Sequence, residues 1–407
     1  MVYTKFIMLG LKTKHMLGHI LTFILKQINK SKRKVNEFLL SETYEIIKEP
    51  SKVFPVFYHI KDQTWENLYI SEVFHVSKEY VLRCYHEEQN IIEIDNAIIS
   101  SKSNIIISEK GVVWDKTSDT NFPKLVPLDS NVVSYSFPKV TVIRSRKQIE
   151  IDDNCISLGG VHSHVWTHFL VQYLPQLYYA GDSGLLNNSI KLLVPCYLDK
   201  HISKIVVDYI SQYPNVSLVE FNDNMEYVCK KLYHIPISSQ ASDHVYYCLP
   251  FDFLLPQMVV KKLRDQLLCY LRSENEMSDK IYLARRETYR CMSNWQEAED
   301  FFSQLGFRII EPHKMTLEEK ISVFNYAKVI VGPYSGAFTN LVFCNKAKVL
   351  IFSPLMRAYE AYYKTIGQNS NLVVLNVTGI DQTSDVHTPY MVPLDRIKMA
   401  YSQLINE

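Results

Sequence analysis

An arginine cluster in the second half of the sequence could bind phosphate groups. Arg285 and Arg286 directly follow the apolar run KIYLA, and Arg290 comes four residues after Arg286. Guanidinium groups bind phosphate oxygens through two hydrogen bonds at once, and a diphosphate needs more than one such partner. The pattern therefore predicts a phosphate site at the end of a strand. The alternative interpretation is a set of ordinary surface ion pairs.

Small residues in the segment VIVGPYSGAFTNLVF predict a second anion-binding element. A buried strand is expected to end at Gly332, and Ser335, Gly336 and Ala337 open the next helix. Backbone N–H groups and the positive end of the helix dipole point out of such a turn, and small side chains let an anion approach closely. Alternatively, Ser335 is an ordinary N-cap and Gly336 only permits a tight turn.

Three histidines in the segment GGVHSHVWTHFLVQYLPQL are candidates for proton transfer. In a helix that begins near His164, the residues His164, His168 and Gln172 form one polar stripe beside an apolar face. An imidazole titrates near neutral pH, so His168 could act as a general base. His162, His164 and His168 also have a spacing that suits zinc. A purely structural role is the third alternative.

A capping box is predicted where Thr316 is followed three residues later by Glu319. Each side chain would satisfy a backbone N–H group in the first turn of a helix. This structural interpretation is sufficient. If the helix borders a ligand cleft, Glu319 could also bind ribose hydroxyls.

The composition restricts the class of protein. The chain has 407 residues, 47% of them hydrophobic and 21% charged, with a formal net charge of +1. This length predicts two or three domains, and the composition excludes global disorder and disfavours a dedicated binder of duplex nucleic acid. The eight cysteines lack zinc or redox spacing and are expected to be buried thiols in a reducing compartment.

The elements that must position these residues form two alternating series. Short β-rich runs come first. Helices and strands then alternate from Val161 to about Glu274, and after the polar linker RSENEMSD they alternate again. Alternation of this kind predicts parallel sheets, and thus an α/β fold of two doubly wound, Rossmann-like domains facing a cleft. The predicted units are a basic amphipathic segment (1–35), a strand-rich N-terminal extension (36–150), a first Rossmann-like domain (151–275), a second Rossmann-like domain (276–383) and a C-terminal helix (384–407).

The first 35 residues are apolar with interspersed and following basic residues. No small-residue cleavage site follows the apolar run and no uninterrupted run is long enough to span a membrane, so neither export nor a membrane span is expected. Two roles are left open. The segment could lie on an anionic membrane surface, or it could form a helix packed on the body of the protein.

Four segments, taken in order, resemble glycosyltransferase family 61. They are HFLVQYLPQL, YLARRETYR, the stretch from LGFRIIE to KVIVG, and GPYSGAFTNLVF. The bacterial members of this family are often labelled capsular polysaccharide biosynthesis proteins. The resemblance covers about Gly159 to Pro354 and is strongest from Lys280 onward. It implies a GT-B architecture in which 151–275 is an acceptor domain and 276–383 a nucleotide-sugar domain. It also implies an inverting transfer of a sugar from a nucleotide diphosphate donor without a bound metal. No cofactor is expected, and the expected donor is UDP-linked. The absence of an Asp-x-Asp motif agrees with the last point.

The resemblance also implies roles for individual residues. With the interpretation of the residues themselves, it gives a donor-binding set of Arg285, Arg286, Arg290, Glu319, Tyr334, Ser335, Gly336, Ala337 and Asn340. In this set, Tyr334 stands where relatives often carry His. On the acceptor side lie His164 and Gln172. The chain departs from the family pattern at Phe169, which replaces a Trp, at Gln172, which replaces an acid, and at Gln176, which replaces an Arg. Since an amide cannot accept a proton, His168 would have to be the catalytic base.

The resulting prediction is a glycosyltransferase of capsule or lipopolysaccharide synthesis. Its partners would be a nucleotide-sugar donor and a glycan or lipid-linked acceptor, but not nucleic acid. The expected location is the cytoplasm, with peripheral contact to the inner membrane. One alternative is a catalytically silent sugar-binding or scaffolding homologue, which the amide of Gln172 favours. The other is a zinc hydrolase that uses His162, His164 and His168.

Overall fold

The computed structural model describes most of the chain from residue 41 to residue 406. It leaves out residues 63, 71–72, 75–79, 87, 115–125, 128, 130, 137, 146, 224, 239, 242–243, 246–252, 274–276, 287–290, 355–361, 371 and 382–387. The predicted basic segment 1–35 and Arg290 therefore lie outside the described residues.

Strands predominate in the described chain up to residue 157, and helices occur among the strands of the remainder. The strands are β1 (Ser41–Glu45), β2 (Val56–Lys61), β3 (Thr64–Ile70), β4 (Val73–Phe74), β5 (Tyr80–His86), β6 (Gln89–Ile99), β7 (Ile105–Ser108), β8 (Gly111–Trp114), β9 (Val126–Pro127), β10 (Val132–Ser136), β11 (Lys139–Ile143), β12 (Gln148–Ser157), β13 (Ile190–Pro195), β14 (Val216–Phe221), β15 (Glu226–His234), β16 (Gln240–Ala241), β17 (His244–Val245), β18 (Phe253–Leu254), β19 (Lys280–Leu283), β20 (Arg308–Ile310), β21 (Val329–Pro333), β22 (Lys348–Ser353), β23 (Val373–Thr378), β24 (Ile380–Asp381) and β25 (Tyr390–Met391). The α-helices are α1 (Pro50–Val53), α2 (Trp166–His168, continued by a π-helical turn Phe169–Tyr173 and by Leu174–Asp182), α3 (Lys200–Ile210), α4 (Gln257–Leu267), α5 (Trp295–Gln304), α6 (Leu317–Tyr326), α7 (Tyr362–Asn369) and α8 (Leu394–Asn406). Short 3₁₀ helices cover Leu185–Asn187, Leu268–Tyr270, Pro312–Lys314 and Gly336–Phe343.

The C-terminal sheet contains six parallel strands in the order β20-β19-β21-β22-β23-β4. The chain passes from β19 to β20 on one side and then to β21 on the other side, so the winding reverses at β19. The apolar runs predicted as strands at 280–284, 307–311, 328–332 and 348–353 are confirmed within one or two residues. Ligands of open α/β sheets bind outside the carboxyl ends of the strands at such a reversal.

The N-terminal sheet is mixed. Its strand order is β14-β13-β12-β15-β6-β7-β8, with β2 also paired to β6. The four strands β12 to β15 are parallel to their neighbours among themselves, whereas β6, β7 and β8 run antiparallel. The strand-rich extension therefore shares a sheet with the predicted acceptor domain, and β12 crosses the boundary placed at residue 150. Strand pairing joins them because the apolar residues of β6 and β15 bury each other in one core.

The two sheets are joined by a shared apolar core. Side chains of α2 such as Phe169 and Leu177 belong to the same buried cluster as Ile281 of β19 and Phe338 of the 3₁₀ helix. The described residues contain no helix with the length and hydrophobicity needed to cross a membrane.

The prediction of buried thiols is only partly correct. Cys155, Cys229 and Cys344 are buried, but Cys196 and Cys269 are exposed. Cys196 directly follows β13 and Cys269 lies in the 3₁₀ turn after α4, so both side chains fall where the chain leaves the core.

Candidate active site

The arginine that follows β19 lies beside the turn that follows β21. Arg285 Nη1 donates a hydrogen bond to the carbonyl oxygen of Tyr334 at 2.8 Å. The Arg285 side chain is half-buried. Since the winding of the sheet reverses between these two strands, the contact lies at the place where ligands of such sheets bind. The guanidinium group of Arg285 and the small-residue turn therefore lie next to each other.

The turn itself has open backbone donors. The helix predicted after Ser335 is a 3₁₀ helix, and its first hydrogen bond runs from Phe338 N to Ser335 O at 3.1 Å. The N–H groups of Gly336 and Ala337 precede this hydrogen bond, and Gly336 is exposed. Ser335 occupies the N-cap position of this helix, as the alternative interpretation expects, but its side chain makes no capping hydrogen bond. Tyr363 holds the turn in place, because its hydroxyl donates to Ser335 O at 2.6 Å.

Arg286 is used differently from Arg285. Its exposed guanidinium forms ion pairs with Glu299 and, at 3.2 Å, with Glu311, and it lies over the ring of Trp295. The positive charge is therefore already balanced by two carboxylates, one in α5 and one directly after β20. A donor phosphate would have to displace these partners from Arg286. The two arginines are neighbours in the sequence but have different partners in the structure.

A junction of polar contacts connects the first turn of α2 to the 3₁₀ helix. Trp166 Nε1 donates to Asn340 Oδ1 at 3.0 Å, and Thr167 Oγ1 donates to Gly336 O at 3.2 Å. Asn340 is fully buried and its amide nitrogen donates to Ala337 O at 2.8 Å. The amide of Asn340 thus joins α2 to the 3₁₀ helix, whereas the resemblance implied that it contacts the donor. A Cβ atom on Gly336 would lie 2.8 Å from Thr167 Oγ1, so this close approach explains the glycine.

The junction brings His168 next to the turn, since His168 directly follows Thr167. His168 Nδ1 lies 2.7 Å from Oε1 of Gln172, which is one turn further along the helix. A carbonyl oxygen only accepts hydrogen bonds, so Nδ1 carries the proton and Nε2 is the basic nitrogen. The π-helical turn that starts at Phe169 buries Gln172, and such turns are frequent at functional sites.

Burial and neighbouring imidazoles weaken the basicity of His168. Its pKa is lowered to about 4, first by burial and then by the charge of His162. The pKa of His162 is also lowered by burial and by His164. The ring centroids of His162 and His168 are 4.9 Å apart, and His162 adopts a left-handed backbone conformation at φ 63°. At neutral pH, His168 is therefore uncharged.

The three histidines do not form a recognisable metal centre. His164 is exposed, and its ring centroid lies 6.3 Å from that of His162. Within the part of the chain that the structure describes, no three His, Cys, Asp or Glu side chains are arranged to hold a metal ion. The zinc alternative therefore gains no support.

Glu319 forms the predicted capping box. Its carboxylate accepts from Thr316 N at 2.9 Å, and its own N–H donates to Thr316 Oγ1 at 3.2 Å. The backbone N–H of Thr316 lowers the pKa of Glu319. The carboxylate also forms an ion pair with Arg272 at 3.4 Å. These contacts confirm the structural role and leave the ribose-binding role a prediction.

One charged group near the junction was missed by the sequence analysis. Lys320 is 5% exposed, and its Nζ lies 3.1 Å from His201 Nδ1 and 4.1 Å from the centre of the Trp166 ring. Burial lowers the pKa of Lys320 to about 8. The signal was present, because Lys320 falls between Leu317 and Phe324 on the apolar stripe of α6.

Residues 166–351 match the family model described as Glycosyltransferase 61. The matched segment begins at the junction residue Trp166 and contains His168, Arg285 and Gly336, whereas His162 and His164 lie outside it. No curated protein matches the chain.

Proposed function

We propose that the protein is an inverting, metal-independent glycosyltransferase of GT-B architecture, because residues 166–351 match the glycosyltransferase 61 family model. The donor would be a nucleotide diphosphate sugar bound at the C-terminal sheet. The single observation that carries the proposal is the contact of Arg285 with the turn at Tyr334, at the strand reversal and beside exposed Gly336. A guanidinium and two backbone N–H groups at one place suit a diphosphate.

In the proposed step, an acceptor hydroxyl oxygen attacks the anomeric carbon of the donor sugar. The bond from this carbon to the diphosphate oxygen breaks, and its electron pair leaves with the diphosphate. Nε2 of His168 takes the hydroxyl proton, while Gln172 Oε1 holds the ring through Nδ1–H. The charge that develops on the leaving group is stabilised by Arg285 and by the N–H groups of Gly336 and Ala337.

The arrangement of the chain supports donor and acceptor binding by different sheets. The junction of Trp166 and Asn340 holds α2, which follows the N-terminal sheet, against the turn of the C-terminal sheet. We further propose that the acceptor is a glycan or lipid-linked glycan of a surface polysaccharide and that the reaction takes place in the cytoplasm at the inner membrane. These finer assignments rest on the resemblance and on the basic segment 1–35.

A non-catalytic sugar-binding protein is the second candidate function. Two properties of His168 favour it. The side chain paired with His168 is an amide, and the pKa of His168 is about 4. A base with so low a pKa accepts the proton of the acceptor hydroxyl less effectively in the transition state, so it accelerates the transfer less.

Calorimetric titration of the full chain with UDP, GDP, CDP and dTDP tests the donor site. Saturable one-to-one binding of at least one diphosphate is expected, and failure of all four to bind contradicts the proposal. Release of that diphosphate from its sugar conjugates, with and without added glycans, then separates the candidates. Diphosphate binding with neither transfer nor hydrolysis of any conjugate favours the non-catalytic protein.

A further inference from the structure

A buried lysine lies where α2, α3 and α6 meet. Lys320 of α6 is 5% exposed, and its Nζ lies 3.1 Å from Nδ1 of His201 in α3 and 4.1 Å from the centre of the Trp166 ring in α2. Within the described part of the chain, Lys320 forms no ion pair, because the carboxylate of Asp199 lies against His201. The nearest partners of the ammonium are therefore an imidazole and the face of an indole.

The contact with His201 fixes the protonation of both groups. A charged ammonium only donates hydrogen bonds, so His201 Nδ1 accepts and His201 Nε2 carries the ring proton. Burial and the charge of Lys320 lower the pKa of His201, in agreement with a neutral ring. The lysine can therefore remain charged in contact with α3.

The Trp166 ring connects this charge to the turn beside Arg285. Trp166 Nε1 donates to Asn340 Oδ1 at 3.0 Å, and the Asn340 amide nitrogen donates to Ala337 O at 2.8 Å. A cation over an indole face is attracted by the ring, and the attraction is stronger where water is excluded. The same cation draws electron density from the indole, which makes its N–H a stronger donor toward Asn340.

The position of the indole also matters for the proposed base. Trp166 is the first residue of α2, and His168 lies two residues later in the same helix. Thr167, between them, donates to Gly336 O at 3.2 Å. An indole that leaves Asn340 would therefore loosen the helix that carries His168 from the turn that carries the open N–H groups.

The charge of Lys320 can change near neutral pH. Burial lowers the pKa of Lys320 to about 8. Burial lowers the pKa of His201 and raises the pKa of Cys269 and of Tyr270, which lie in the 3₁₀ turn packed against α6. None of these three groups therefore has its titration midpoint near pH 8.

The other charged groups around Lys320 come from three elements. Asp199 and Lys200, at the start of α3, act on its charge. The 3₁₀ helix Gly336–Phe343 carries no charged side chain, and His168 of α2 is neutral above its pKa of about 4. Its own helix carries two carboxylates with cationic partners, which are Glu318 near Lys204 and Glu319 near Arg272.

We propose that Lys320 is a positioning residue that acts through Trp166. Its ammonium holds the indole on Asn340 and so keeps α2 against the turn beside Arg285. Transfer then requires Lys320 in its charged form. The consequence for transfer rests on the proposed function, whereas the hold on Trp166 does not.

NMR of the full chain with isotope-labelled tryptophan tests the hold on Trp166 without any substrate. The chain has four tryptophans, and Trp166→Phe assigns the indole N–H signal of Trp166. This signal should shift with pH, with a midpoint at the lowered pKa of Lys320, about 8. In Lys320→Met the pH response should vanish, and the N–H should exchange with solvent about tenfold faster at pH 7 because the cation–π contact is lost. A signal that responds and exchanges alike in both chains overturns the proposal.

The matched control is Lys204→Met. Lys204 also lies near a ring, 5.3 Å from the centre of Tyr270, but it is exposed and paired with Asp208. Its replacement should leave the Trp166 signal unchanged, and an equal response in the two methionine variants would contradict the proposal. Lys320→Arg, which stays charged, should keep slow exchange and lose the pH response. If Lys320→Met does not fold, absence of a midpoint near pH 8 in the unaltered chain overturns the proposal.

Turnover distinguishes this proposal from the proposed function. In a chain that transfers or hydrolyses a sugar nucleotide, Lys320→Met should lower kcat about tenfold at pH 7 with the donor KM unchanged. Its stability at pH 7 should rise, because a buried charge is removed, whereas a merely structural lysine would not move the two in opposite directions. An unchanged kcat overturns the positioning role. A chain that binds no diphosphate rejects the transferase, and the Trp166 signal then decides the role of Lys320.

Discussion

Arg285 Nη1 and the carbonyl oxygen of Tyr334 lie 2.8 Å apart although 49 residues separate them in the chain. The first follows β19 and the second follows β21, and these strands are neighbours in the sheet. The contact aligns a guanidinium with the backbone donors of the next turn. It is the arrangement on which a diphosphate site at this edge depends.

Replacing Arg285 by alanine should impair the donor site more than the fold. We expect the affinity for the bound diphosphate to fall at least tenfold and turnover to fall about 10²- to 10³-fold, as when one group that stabilises developing charge is lost. The matched control is Arg264→Ala, because Arg264 also donates to a backbone carbonyl, that of Cys344 at the other end of the 3₁₀ helix. Calorimetry and thermal unfolding of both variants check this. Equal loss of affinity in the two would show that the effect is structural.

Replacing His168 should abolish transfer while leaving diphosphate binding intact. Loss of a general base costs about 10²- to 10⁴-fold in rate. His164→Ala is the control, since His164 is an exposed histidine of the same segment. Because the pKa of His168 is about 4, the neutral and active form persists as the pH falls well below 6.5. The rate should therefore stay constant from pH 8 to about pH 5, and an acidic limb centred near pH 6.5 would exclude His168 as the base.

The buried Lys320 should make stability depend on pH in the alkaline range. Its pKa falls from 10.5 to about 8, so between these values the folded protein has released a proton that the unfolded chain still holds. Stability contributed by this group therefore rises with pH across that window. Lys320→Met should raise the free energy of unfolding at pH 7 by about 2 kcal/mol, and the gain should shrink at pH 9.5.

Urea unfolding at both pH values measures this difference. Lys328→Met provides the control, because Lys328 is exposed and paired with Asp279. A difference between the Lys320 variant and the unaltered chain that does not change with pH would contradict the assignment.

Replacing Trp166 by phenylalanine should weaken the junction. The ring contact with Lys320 is retained, but the buried Oδ1 of Asn340 loses its indole donor. An unpaired buried acceptor costs about 1–3 kcal/mol of stability. Turnover should fall because α2 is no longer held against the turn, while diphosphate affinity changes little. Trp295→Phe, at a Trp that lies against Arg286, is the comparison, and equal effects of the two changes on turnover would argue against a specific junction.

Much of the local structure was predictable because its causes are local. The capping box at Thr316 depends on two side chains three residues apart, and the strands of the C-terminal sheet are continuous apolar runs. The turn after Gly332 was likewise recognisable from its small residues. The same local rules failed where two helical forms compete. Ordinary helices were expected after Ser335 and around His168, but the chain forms a 3₁₀ helix at the first place and a π-helical turn at the second. Both adjoin the contacts of Trp166 and Thr167 with the 3₁₀ helix.

The sequence by itself determined the alternation of strands and helices, the chemistry available at Arg285, Gly336 and His168, and the family resemblance over the second half. Only the tertiary structure decided which of these side chains meet. Neighbouring Arg285 and Arg286 differ because one reaches the turn and the other reaches Glu299 and Glu311. Trp166 and Asn340 are 174 residues apart, so their contact depends on strand order and shared core burial. Contacts of this kind arise from the whole fold, which no local pattern of residues encodes.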